Sequence, residues 1–161
     1  LLDGGLVAKA GKLDMGTLLF LTPGIGEWLY TRLRKDPQAA YESLRPYYAN
    51  LDALPEAGRR LLYERVNQRV WSDDQRRAFF RTFRGLVRWL PGQQKDIPAR
   101  LAAVTTPTHV LWGEQDRIAS LENGRALAAM QPGVQLTVLP GAGHNIQQEA
   151  PAAVIEAISN L

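Results

Sequence analysis

From residue 108 onward the chain spells one unit twice: a short apolar strand, a glycine-containing turn, a polar loop and a helix. Residues 108–112 are rich in β-formers and end at Gly113. A helical stretch follows over 120–130, where Leu121, Leu127 and Met130 share a face. Pro132-Gly133 turns the chain into a second strand over 134–139, closed by Pro140-Gly141. A terminal helix runs over 151–161, with Val154, Ile155 and Ile158 expected inward. Strand–helix–strand–helix with so short a crossover dictates parallel strands with helices covering the sheet. Two or three strands cannot bury such a sheet alone, so this segment reads as part of a larger core.

The two strand ends carry the chemistry. Gly113-Glu114-Gln115-Asp116 leaves the first and Gly141-Ala142-Gly143-His144 leaves the second. Ligands bind at the carboxyl ends of parallel strands, and there an Asp and a His that are distant in sequence can reach hydrogen-bond distance. A histidine acting as general base needs one ring nitrogen for the proton and a carboxylate holding the other in the right tautomer. Glycines at 141 and 143 let the backbone bend so that the ring projects into a cleft. Glu114 reads as a solvent-facing loop residue.

Residues 17–90 follow a different grammar of helices and short loops. Asp36-Pro37 is an N-cap followed by a first-turn proline, opening a helix read as far as Tyr48 or a break at Pro46. Ser72-Asp73-Asp74-Gln75 is a capping box. Behind it Phe79, Phe80, Phe83, Leu86, Val87 and Leu90 form one apolar stripe. Arg77, Arg81, Arg84 and Arg88 lie opposite and read as a solvated outer face, since no stacking aromatics interleave with them. Trp28, Tyr47, Tyr48 and Trp89 read as core packing.

Composition closes off several functions. With no cysteine and two histidines that lack carboxylates at metal-motif spacing, no metal or other cofactor is expected. Charges interrupt every apolar run, so no membrane span is expected. The net charge of +3 is concentrated before residue 96, but nothing accompanies it that points to nucleic acid.

Taken together, these motifs resemble the C-terminal end of an α/β-hydrolase. Pro107 and Thr108-His109-Val110-Leu111-Trp112-Gly113-Glu114-Gln115-Asp116-Arg117 resemble that family's penultimate strand and acid loop. Leu139-Pro140-Gly141-Ala142-Gly143-His144 resembles its last strand and histidine loop. Gln147-Gln148-Glu149-Ala150-Pro151 resembles the lead into its final helix, and Leu1-Leu2-Asp3-Gly4 the end of its sixth strand. The resemblance implies an α/β fold: a partial hydrolase core of parallel strands with covering helices, plus an all-helical cap. Residues 1–4 would end a core strand, 5–96 form the cap and 97–161 complete the core. It implies Asp116 as the acid and His144 as the base of a Ser-His-Asp catalytic triad, with Asp3 as the alternative acid, and a small apolar molecule as substrate.

One element of the family is missing. None of Ser43, Ser72, Ser120 and Ser159 stands in a Gly-x-Ser-x-Gly elbow. In the family's order the elbow and the His-Gly oxyanion loop are expected before Leu1, and these residues alone are expected to be inactive. Leu1-Leu2 reads as the tail of a buried strand, which leaves localisation open, with the cytoplasm favoured. The expected activity is hydrolysis of an ester or a related acyl or C–C bond. An aspartate nucleophile, as in epoxide hydrolases and haloalkane dehalogenases, is one alternative. A non-catalytic binding protein of the same fold is the other.

Overall fold

The computed structural model describes residues 15–159, which fall into two compact units: residues 15–44 with 55–92, and residues 45–54 with 93–159. The first is helical, built from α1 (Met15–Leu21), α2 (Ile25–Arg32), α3 (Pro37–Glu42), α4 (Glu56–Trp71) and α5 (Asp73–Gln93). Local chemistry sets these boundaries. Asp36 Oδ1 accepts the Ala39 N–H at 2.9 Å with Pro37 in the first turn. Ser72 Oγ accepts the Gln75 N–H at 3.3 Å. α3 stops at Glu42, short of the sequence expectation. Pro46 has no N–H to give and disfavours a helical residue before it, and a single 3₁₀ turn (Arg45–Tyr47) follows instead.

Val66 and Val70 of α4 and Phe80 of α5 are each nearly inaccessible. The Phe80 ring lies 5.1 Å from that of Phe20 and 5.9 Å from that of Tyr30. Only Phe80 of the predicted α5 stripe is fully buried; Phe79 and Leu86 remain exposed. Trp28 and Trp89 are exposed as well, so neither packs in a core among the described residues.

Arg84 departs from the predicted solvated face. Its guanidinium forks onto Glu27 of α2, Nη1 to Oε1 at 2.6 Å and Nη2 to Oε2 at 2.9 Å. Its Nε–H donates to the Leu21 carbonyl at the end of α1, 2.7 Å away. One side chain thereby satisfies a helix terminus and a carboxylate together. The Arg84 hydrogen bond holds the Glu27 carboxyl down to about 2, from an ordinary 4.5. A carboxyl depressed by folding adds stability that is complete above its unfolded pKa and vanishes as pH falls through its folded one. The stability advantage of the wild-type protein over Glu27→Gln is therefore expected to be constant from pH 7 to 5 and to shrink between about pH 4.5 and 2. Urea unfolding across that range measures it, and a gap that persists at pH 2 would refute the pairing.

The second unit contains α6 (Ile97–Ala102), β1 (His109–Gly113), α7 (Leu121–Met130), β2 (Gln135–Leu139), α8 (Ile146–Glu149) and α9 (Pro151–Ser159). β1 and β2 pair in parallel, His109 opposite Gln135 through Gly113 opposite Leu139. Alternation along β1 sends side chains to two cores. Leu111 meets Leu139, Ala142, Ile146, Val154 and Ala157 on one face. Val110 and Trp112 meet Ala119 and Leu127 on the other. The buried Trp112 indole also donates to the Ala119 carbonyl at 3.0 Å.

α9 buries Val154, as expected, but not the two isoleucines expected beside it. Val154 and Ala157 are buried, while Ile155 and Ile158 are 64% and 63% exposed. The register begun at Pro151 places Ala150, Ala153, Val154 and Ala157 toward Leu111 and Leu139. Small residues there let the helix lie close, and the larger isoleucines fall outside the contact. Among the described residues no helix is long and apolar enough to cross a membrane.

Candidate active site

Backbone hydrogen bonds splice the two strand-end loops together. Glu114 N–H donates to the Leu139 carbonyl at 3.0 Å, and Gln115 N–H to the Ala142 carbonyl at 2.9 Å. Only glycine fits at 113, because a Cβ there would lie 2.0 Å from the Gly143 carbonyl oxygen. With the loops this close, the residues that follow each glycine meet.

Asp116 Oδ2 lies 3.0 Å from His144 Nδ1. Asp116 Oδ1 accepts two backbone N–H groups of its own loop, from Ile118 at 2.7 Å and Ala119 at 2.9 Å. The carboxylate is fully buried and the imidazole about a quarter exposed. A buried carboxylate needs such donors to stay charged, and the two N–H groups leave one oxygen aimed at the ring. A neutral imidazole facing it carries its proton on Nδ1, which places the lone pair on Nε2. Such a ring can take a proton from a nucleophile and return it to a leaving group. The structure thus brings together both residues singled out from sequence. Asp3 lies outside the described residues. Glu114 is exposed, and among the described residues no group of three His, Asp or Glu side chains is arranged to hold a metal.

The α/β-hydrolase family model matches residues 3–157. The chain belongs to the α/β-hydrolase family. Its structure is a partial hydrolase core, parallel strands under covering helices, together with a helical cap. Among curated proteins, the chain is similar to an uncharacterised hydrolase of Bacillus subtilis, 32% identical over 80 residues, which covers 49% of this chain and 29% of that one. It is also similar to a 2-hydroxy-6-oxononadienedioate/2-hydroxy-6-oxononatrienedioate hydrolase of Cupriavidus pinatubonensis, 37% identical over 59 residues, covering 37% of this chain and 20% of the other. Among solved structures it resembles a 2-hydroxy-6-oxo-6-phenylhexa-2,4-dienoate hydrolase of Rhodococcus sp. strain RHA1. There the TM-score is 0.66 and the identity 20%, over 81% of this chain and 46% of that one. The stretches matched are less than a third of each of these curated relatives, and the chain spans about half of the Rhodococcus structure.

Residues 45–54 bring groups to His144 that the sequence did not connect to it. Tyr47, read as core packing, is exposed, and its ring lies 5.9 Å from that of His144. Tyr48 is buried, in keeping with that reading, and its hydroxyl donates to the Gln148 side-chain oxygen. Glu149, noted only as part of the lead into the final helix, accepts backbone N–H groups on both segments. About 100 residues separate these partners, and no periodicity reaches that far.

Proposed function

We propose that Asp116 and His144 are the acid and general base of a Ser-His-Asp hydrolase, whose nucleophile is not among these 161 residues. The observation that carries the reading is the Nδ1–Oδ2 contact, made by a carboxylate that two backbone N–H groups fix at a parallel strand end. In this reading His144 Nε2 takes the serine proton as the serine attacks a carbonyl carbon. The buried carboxylate stabilises the imidazolium that forms, and the same proton then goes to the leaving group. The substrate is a small molecule with an ester or a C–C bond beside a ketone. Two similar proteins are named as hydrolases of 2-hydroxy-6-oxo unsaturated acids, a nonadienedioate or nonatrienedioate in one and a phenylhexadienoate in the other. Those compounds contain no ester, so their hydrolysis breaks a carbon–carbon bond. The helices within residues 5–96 act as the cap that shapes the substrate space, and these residues without the nucleophile turn nothing over.

A fluorophosphonate probe on the full-length protein tests the reading. The expected result is one labelled serine, within a Gly-x-Ser-x-Gly sequence. Absence of a labelled serine, with oxygen from heavy-oxygen water appearing in an aspartate side chain during turnover, would replace the serine by an aspartate nucleophile. Absence of both would leave a binding protein of the same fold.

A further inference from the structure

Both neighbours of His144 in the chain are anchored to residues 47–50. The Asn145 N–H donates to the Tyr47 carbonyl at 3.1 Å. The Gly143 N–H donates to Glu149 Oε2 at 2.7 Å. The other oxygen of that carboxylate accepts the Ala49 N–H at 2.8 Å and the Asn50 N–H at 3.2 Å. One carboxylate therefore gathers three backbone donors from two segments. The segments touch directly as well: a Cβ on Gly143 would stand 2.5 Å from the Ala49 nitrogen and 2.7 Å from the Tyr48 carbonyl carbon. α8 is the turn that brings Glu149 back to its place. Asn145 O accepts from the Gln148 and Glu149 N–H groups, and the fully buried Ile146 anchors it.

We propose that Glu149 is a positioning residue for His144, clamping the histidine loop to residues 47–50 so that the imidazole and the neighbouring Tyr47 ring are held in one frame. The inference rests on the acid–base reading of Asp116 and His144. Asp116 fixes the ring by one nitrogen, which leaves the loop free to tilt the whole side chain. The Glu149 clamp removes that freedom on the Gly143 side, and the Tyr47 carbonyl removes it on the Asn145 side. A general base acts only within hydrogen-bond reach of the proton it takes, and misplacement by about 1 Å costs on the order of 10²-fold in rate.

Glu149→Gln keeps the shape and exchanges one acceptor oxygen for an NH₂ group. Whichever way the amide turns, either the Gly143 N–H or the Ala49 and Asn50 pair then faces a donor. In the full-length protein the expected result is a fall in kcat per folded molecule of about 10–100-fold, with KM little changed. His144→Ala is measured alongside. Wild-type kcat in Glu149→Gln beside an inactive His144→Ala overturns this inference alone. An active His144→Ala overturns the reading beneath it. A raised KM with unchanged kcat would move Glu149 from positioning the base to binding substrate, and also overturns the proposal. Should Glu149→Gln not fold, amide exchange in the wild-type protein decides. Joint protection of the Gly143, Ala49 and Asn50 N–H groups supports the clamp, and exchange of Gly143 at the rate of an exposed loop amide overturns it.

Discussion

Exchanging Asp116 for asparagine in the full-length protein is expected to lower kcat by about 10³–10⁴-fold without unfolding it. Asparagine preserves what the carboxylate does for its own loop, since its carbonyl oxygen still accepts the Ile118 and Ala119 N–H groups. What changes is the atom facing His144. An NH₂ group now stands where Oδ2 stood and donates to Nδ1, so the neutral ring must carry its proton on Nε2. That is the nitrogen required to accept one. The imidazolium would also lose the buried negative charge that stabilises it. Alanine at the same position would be a poorer experiment, because it strands two loop N–H groups and mixes folding with chemistry. The measurement is kcat on a chromogenic short-chain ester, with circular dichroism to show that the fold is kept. A variant with wild-type kcat would remove Asp116 from the site.

Most of the α/β unit was legible because its signals are short-range. Gly113 and Gly141 end strands, Pro132-Gly133 turns the chain, and the helical crossover between the strands carries the chain back to run parallel to the first. Asp116 and His144 were legible for the same reason: each follows a strand by a few residues, and adjacent parallel strands bring their ends together. The α9 face was read correctly at Val154 and wrongly at Ile155 and Ile158, because size alone does not say which apolar residues of this alanine-rich helix lie beneath the strands. The choice is made by clearance beneath Leu111 and Leu139, which favours Val154 and Ala157.

The helical unit was less legible. The α5 stripe and the Ser72 cap are local patterns, and both helix and cap are present. Arg84 belongs to the arginine series that reads as a wet face, yet it serves Glu27 and the end of α1. Charge spacing on one helix says nothing of a carboxylate delivered by another. Tyr47 and Glu149 were hidden in the same way, since their place beside His144 depends on contacts made across about a hundred residues.

Replacing His144 by alanine in the full-length protein tests its role as the base most directly. Alanine removes the proton acceptor while leaving the Gly143 and Asn145 backbone bonds in place. Turnover of a chromogenic short-chain ester at neutral pH is expected to fall by at least about 10³-fold, with the folded protein recovered in normal amount. Turnover at the wild-type rate would remove His144 as the base, because some other residue would then be taking the proton.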